Sequence, residues 1–287
     1  MRGALLALAA LAASSATACG PTGAAETTLE KVRSAGAIRV GYANEAPYAY
    51  VDGETGELTG EAPEIARVVL GRMGVREVEG VLTEFGSLIP GLKAGRFDVI
   101  AAGMYVTPAR AEQIAFSEPT YGIGEAFVVA ANNPLDLHSY EDLAAHESAR
   151  LGVVAGTVEL GYARAVGVPE DRIVVFPDAP SALEGVRTDR IDAYGGTSLT
   201  VRYLLERAGD ERIERAEPFT DPVIDGKPAR GYGAFGLRRE DTALLEALNR
   251  ELDAFIGSEE HLALVEPFGF AAEDMPGDVT TRELVRE

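Results

Sequence analysis

Short apolar runs alternate with stretches of helical periodicity along most of the chain, and this alternation restricts the fold more than any other feature. Ile38-Arg-Val-Gly-Tyr42 reads as a strand. From Gly60 a helix takes Pro63 into its first turn, repeats Ile65, Val68, Val69 and Met73 on one face, and stops at Gly74. A second strand runs up to Phe85, a helix holds Leu88, Ile89 and Leu92, and the apolar run Phe97 to Ala102 is too short for anything but a buried strand. The pattern then repeats: a long strand over Gly124–Ala131, a capped helix start at Ser139, strands at Leu151–Ala155, Ile173–Phe176 and Ile191–Tyr194, and a helix over Ser181–Thr188. Gly195-Gly196-Thr197-Ser198 is expected to turn into a further helix through Val201, Leu204 and Leu205. Gly231 to Leu237 reads as a returning strand, and Leu244, Leu245, Leu248, Leu252, Phe255 and Ile256 mark a long amphipathic helix. Strands alternating with helices specify an α/β fold with mostly parallel sheets, in which ligands gather at the carboxyl ends of strands. Glu45–Tyr48, Phe85–Ser87 and Gly103–Arg110 are three such ends.

The last of these ends carries a local oddity. Thr107-Pro108 is a helix start, a hydroxyl at the N-cap followed by proline at the first helical position, and Arg110 falls within the first turn. The helix dipole makes that end partly positive, so an arginine is misplaced there unless it pairs with a neighbouring carboxylate or holds something anionic. Gly103-Met-Tyr-Val-Thr-Pro-Ala-Arg110 with Phe116-Ser-Glu-Pro-Thr-Tyr121 resembles the signature of the bacterial extracellular solute-binding proteins that serve polar amino acid ABC transporters. The resemblance spans about Leu29 to Phe270 and implies the type II periplasmic binding fold: two α/β lobes, a two-strand hinge and a ligand in the cleft. It also implies that Arg110 clamps a ligand carboxylate. On this reading residues 29–123 and 232–270 form one lobe and 124–231 the other, with 271–287 a loose charged tail.

The rest of the composition agrees with an exported receptor. The chain has 287 residues, enough for two domains with real cores, and a formal charge of −20, which excludes a generic nucleic-acid binder and keeps an exported protein soluble. Residues 1–18 have the charged start, the short apolar stretch and the Ala16-Thr17-Ala18 cleavage site of a signal peptide. Cys19, the only cysteine, follows directly; it resembles the lipidated cysteine of a lipobox, while Ala-x-Ala also suits the ordinary signal peptidase. Residues 19–28 read as a tether. His138, His146 and His261 are far apart, with no metal-ligand spacing, and are expected at the surface. No cofactor is called for.

Position by position, the family's pocket has changed. Amino-acid-binding members hold the ligand's ammonium with the last residue of a pattern like Asp-Ala-x-x-x-Asp, and here Asp192-Ala-Tyr-Gly-Gly-Thr197 ends in threonine. A buried ammonium without a charged partner is strongly disfavoured, so the ligand implied has a carboxylate and no primary α-ammonium. Glu45 is the acidic residue of the rim, and Tyr48, Phe85 and Tyr105 are either core and rim residues or a cage for a delocalised cation. Together with Arg110 they resemble the pocket of the ectoine and hydroxyectoine receptors of this family, which implies a monomeric receptor handing its ligand to a permease. Gly156 and Thr157 either cap the next helix or offer the ligand N–H groups from the other lobe, and Gly103 and Thr197 complete the expected ligand-binding set. The alternatives are another zwitterion or amino acid, or an enzyme like the cyclohexadienyl dehydratases of the same fold. That chemistry would need a general acid facing the cleft, and the one candidate, Glu159, is expected to face solvent.

Overall fold

A computed structural model describes residues 26–224 and 226–286; the expected signal peptide, residues 1–18, and Cys19 lie outside the described residues. The first helix, Thr28–Ala35, starts with a reciprocal cap between Thr27 and Glu30 and ends at Gly36 in the left-handed region, so it includes Thr28, one residue before the Leu29 expected as the start of the lobe.

Two five-stranded sheets carry the molecule. The first runs in the spatial order Glu77–Leu82, Ala37–Tyr42, Val99–Ile100, Gly236–Leu237, Ala115–Phe116. Its first three strands are parallel, and the strand from the C-terminal part of the chain is inserted antiparallel between Val99–Ile100 and Ala115–Phe116. Helices Glu61–Arg72 and Thr242–Phe255 bury Ile65, Val69, Leu244, Leu248 and Leu252 against it, the apolar stripe that the 3.6-residue period specifies. The second sheet has the order Ile173–Phe176, Leu151–Val154, Ala193–Thr197, Glu125–Ala130, Ile213–Arg215, and all of its strands come from one continuous stretch.

Two strands join the lobes. Tyr121–Ile123 leads out of the first and Gly231–Gly233 leads back, paired antiparallel with Gly122 opposite Tyr232. This is the type II periplasmic binding fold.

Three expectations are corrected. The third strand of the second sheet runs on through Gly195 and Gly196 to Thr197 rather than turning there, because the Tyr140 and Tyr194 hydroxyls fill the space that side chains at the two glycines would take. His261 is fully buried instead of exposed. Its Nδ1 accepts from the Gly257 N–H at 3.1 Å, its ring lies 4.9 Å from that of Phe255, and burial lowers its pKa to about 4, so it is neutral. His138 and His146 are half-buried. The segment after Phe270 is not loose: a capped turn of helix at Thr281–Leu284 sets Leu284 and Val285 against the first lobe, and Thr281 bonds to Ser117 and Glu118.

Candidate functional site

Glu45, Tyr48, Phe85, Gly103, Tyr105, Arg110, Thr157 and Thr197 line one cavity between the lobes, together with Val158 and Glu159. Its walls stand close together: the space open to the centre of a water-sized sphere is about 20 Å³.

Arg110 is positioned as its sequence context specifies. The Thr107 hydroxyl accepts from the Arg110 N–H at 3.3 Å and Pro108 opens the short helix. The guanidinium is buried, donates from Nη1 to the Tyr105 carbonyl at 2.8 Å and from Nη2 across the cleft to the Gly156 carbonyl at 2.9 Å, and lies 5.5 Å from the Phe85 ring. A guanidinium has five N–H donors, so three remain to receive an anion. Burial pulls the Arg110 pKa down and the Glu159 charge opposes that, leaving a desolvated cation with unspent donors.

The tyrosine rings form the opposite wall. Tyr48 stacks on Tyr121 with centroids 5.2 Å apart, and Tyr105 meets Tyr121 at 6.2 Å. Two glycines permit this: a Cβ on Gly103, whose φ is +65°, would fall 2.5 Å from the Tyr48 ring, and one on Gly231 would overlap Tyr105 outright. Phe85 departs from the expected cage because its face is occupied by Arg110.

Thr197 takes part in a chain of hydroxyls that crosses the cleft. Tyr48 Oη donates to Thr197 Oγ1 at 2.8 Å, Thr197 to Thr200 Oγ1 at 3.1 Å, and Thr200 to Glu45 Oε1 at 2.9 Å. Thr197 also caps the helix Ser198–Ala208 by accepting from the Thr200 N–H. Every donor points toward Glu45. Burial nevertheless raises the Glu45 pKa to about 7, helped by the Glu159 charge and opposed by the Thr200 bond. Thr200 was not foreseen; its only signal was its place one helical turn beyond Thr197.

Glu159 corrects an expectation. It faces the cavity and is 4% exposed, not solvated. The helix begins at Glu159 with Val158 at its N-cap, so Thr157 stands before the cap, with its hydroxyl donating back to the Val154 carbonyl at 2.9 Å. Behind Glu159 lies Glu125, also buried, whose backbone N–H donates to Asp221 Oδ1 at 2.7 Å. Burial pushes both carboxyls up. Among the described residues no cluster of His, Cys, Asp and Glu could hold a metal ion.

Comparison with known proteins now bears on this cleft. Residues 38–270 match the family model described as bacterial extracellular solute-binding proteins, family 3. The chain belongs to this family. It is 38% identical over 265 residues, 91% of this chain and 87% of the other, to a probable amino-acid ABC transporter periplasmic-binding protein of Sinorhizobium fredii. Among solved structures it resembles EhuB in complex with hydroxyectoine, with a TM-score of 0.82, 35% identity, and coverage of 91% of this chain and 98% of that one. It also resembles an ancestral amino acid-binding protein described as a precursor of cyclohexadienyl dehydratase, with a TM-score of 0.73, 26% identity, and coverage of 84% and 99%. As a family member this chain is a solute-binding protein, and none of the helices among its described residues is long and apolar enough to cross a membrane.

Proposed function

We propose that this protein captures ectoine or hydroxyectoine outside the cytoplasm, closes its lobes around it and delivers it, as a monomer, to the membrane permease of an ABC importer. Cys19 is its lipid anchor. One observation carries the ligand class: the cavity has a guanidinium with unspent donors at Arg110, a carboxylate at Glu45, tyrosine rings between them, and a threonine already committed to a helix cap where amino-acid receptors keep a carboxylate. A cyclic amidinium carboxylate matches this pattern. Its carboxylate goes to Arg110, its delocalised cation to Tyr48, Tyr105 and Glu45, and it brings no primary ammonium to Thr197. The likeness to the hydroxyectoine complex supports the same reading.

The test is a thermal-shift and calorimetric screen with ectoine, hydroxyectoine, glycine betaine and the common L-amino acids. A ligand at a hundred times its Kd stabilises the fold by about 2.7 kcal/mol. Tighter binding of a common L-amino acid than of either ectoine would refute the assignment.

A second reading has one observation in its favour. Glu159 is a buried carboxyl with a raised pKa in the cavity wall, as a general acid requires, and one structural relative is a precursor of a dehydratase. Release of an aromatic product from arogenate or prephenate, lost in Glu159→Gln, would establish that reading in place of the first.

A further inference from the structure

Two polar atoms in the cavity wall have no partner. Tyr105 Oη and Glu159 Oε2 are buried and receive or donate no hydrogen bond within the protein. The neighbouring Thr157 hydroxyl donates to the Val154 carbonyl at 2.9 Å and lies close enough to Glu159 to lower its pKa, yet Oε2 is left without a bond. Behind Glu159, both oxygens of Glu125 likewise receive no N–H or O–H donor. An ionised carboxylate so placed would be untenable. Glu125 and Glu159 are within hydrogen-bonding reach of each other, and two buried carboxyls in that relation share a proton. Glu159 shares the cavity wall with the Arg110 guanidinium, which favours its charged form, whereas Glu125 is flanked by Asp221, so the shared proton rests on Glu125, which donates it. Glu159, which also sees the Arg110 cation, is left as the acceptor with one oxygen turned to the cavity.

We infer that Glu159 is a ligand-contacting residue of the second lobe, that Glu125 positions it by donating a hydrogen bond, and that the ligand must present donor hydrogens to Glu45 and Glu159 from two sides. This deepens the proposed function and rests on it for the ligand, but it sets a narrower requirement. Amidinium and guanidinium heads carry N–H groups in a plane and can serve two carboxylates at once. A quaternary ammonium is attracted by rings and charge yet donates no hydrogen bond, and it would leave Glu159 Oε2 unpaired and Glu45 with its Thr200 bond alone. The cleft therefore selects against betaines through hydrogen-bond donors rather than through charge.

Calorimetry with ectoine, hydroxyectoine, L-arginine and glycine betaine tests this on the full chain, the Glu159→Gln variant, and the Glu125→Gln and Glu125→Leu variants, with unfolding temperatures as a control for folding. The parent should bind its best N–H-bearing probe at least 100-fold tighter than glycine betaine. Glu159→Gln should weaken that probe at least 30-fold, and by a larger factor than it weakens glycine betaine. Glu125→Gln, which still donates, should keep affinity within threefold, whereas Glu125→Leu should lose at least tenfold; a merely structural Glu125 would not show this rescue. Glu159→Gln binding within twofold of the parent, or tighter, overturns the inference, as does parent affinity for glycine betaine equal to that for ectoine. If the parent binds L-arginine and neither ectoine, the proposed ligand falls, and the same variants measured with L-arginine decide the two-carboxylate requirement separately. A parent that binds none of the four probes overturns both.

Discussion

Closure of the cleft brings two backbones into contact, and a single methyl group placed there should hold the lobes apart. A Cβ on Gly156 would lie 2.6 Å from Gly86 Cα and 3.1 Å from Gly86 N, on the opposite lobe, and neither is the end of a flexible side chain. Carbon atoms pack at about 3.5–4.0 Å, so in Gly156→Ala the rims must part by roughly 1 Å. The Arg110 Nη2 bond to the Gly156 carbonyl, 2.9 Å long, would then exceed hydrogen-bond range. A bond from a charged donor contributes about 1.5–3 kcal/mol, so the closed state loses about that much relative to the open one. The apparent Kd should rise by roughly 10- to 150-fold, because affinity falls in proportion to the population of the competent state. The φ of +83° at Gly156 adds about 1–2 kcal/mol of strain for alanine, but this falls on open and closed states alike and lowers the unfolding temperature rather than the affinity. Calorimetry with the ligand found in the screen gives the Kd, and small-angle scattering at saturation gives the degree of closure. Gly86→Ala is the control: its Cβ would meet the Ala155 carbonyl at an ordinary 3.5 Å, so its Kd should stay within threefold of the parent. Equal damage from both variants, or none from Gly156→Ala, refutes the wedge argument.

Arg110→Ala should cost roughly 2–5 kcal/mol of binding and so remove measurable affinity, while Tyr105→Leu should cost about 1–2 kcal/mol if its ring faces a cation; titration of both variants separates the carboxylate clamp from the cage. Thr197→Asp should weaken a cyclic amidine, since the new carboxylate competes with Glu45 for the Thr200 hydroxyl; an unchanged Kd would argue against the hydroxyl chain. Burial raises the Glu61 pKa to about 8, against a partly offsetting bond from Thr120. Its contribution to stability is therefore complete below about pH 4.5 and lost as pH rises toward 8; Glu61→Gln should melt higher than the parent at pH 8.5, by about 2–4 °C for each kcal/mol relieved, and little differently at pH 4.5 in parallel melts. Cys19→Ala should move the exported protein from the membrane to the soluble fraction; an unchanged distribution would remove the lipid anchor.

The sequence was informative where one local rule sufficed. Thr107 and Pro108 announce a helix start, and an arginine in its first turn is conspicuous whatever surrounds it. The parallel strands and the long helix after Asp241 follow from period alone. Glu159 was misjudged because Glu159–Ala165 is only two turns long, too short for its periodicity to reveal which face turns inward. His261 sits among Ser258, Glu259 and Glu260, which look solvated, yet its ring packs on Phe255 one helix earlier. The path from Tyr48 through Thr197 and Thr200 to Glu45 joins residues from both lobes, and no spacing rule connects positions so far apart. The two glycines before Thr197 read as a turn because Tyr140, whose hydroxyl fills the space at Gly195, comes from a distant part of the chain, and nothing in the sequence announces that the adjacent Tyr194 folds over Gly196.

The inserted strand Gly236–Leu237 sets an order of assembly. A chain emerging from its N-terminus presents every strand of the second sheet, from Glu125 to Arg215, before the first sheet has received its fourth member. Until then Ile100 and Phe116 have bare edges where Gly236 will bond to both, and a gap of this kind is costly to close because its ends are distant in the chain. The second lobe can therefore be finished while the first waits. Tyr105 waits with it, since its bridge to Gly233 and its seat on Gly231 come from the same late segment. Competence to bind is thus acquired last, and a chain stopped short of Gly231 would hold one folded lobe and half a cleft.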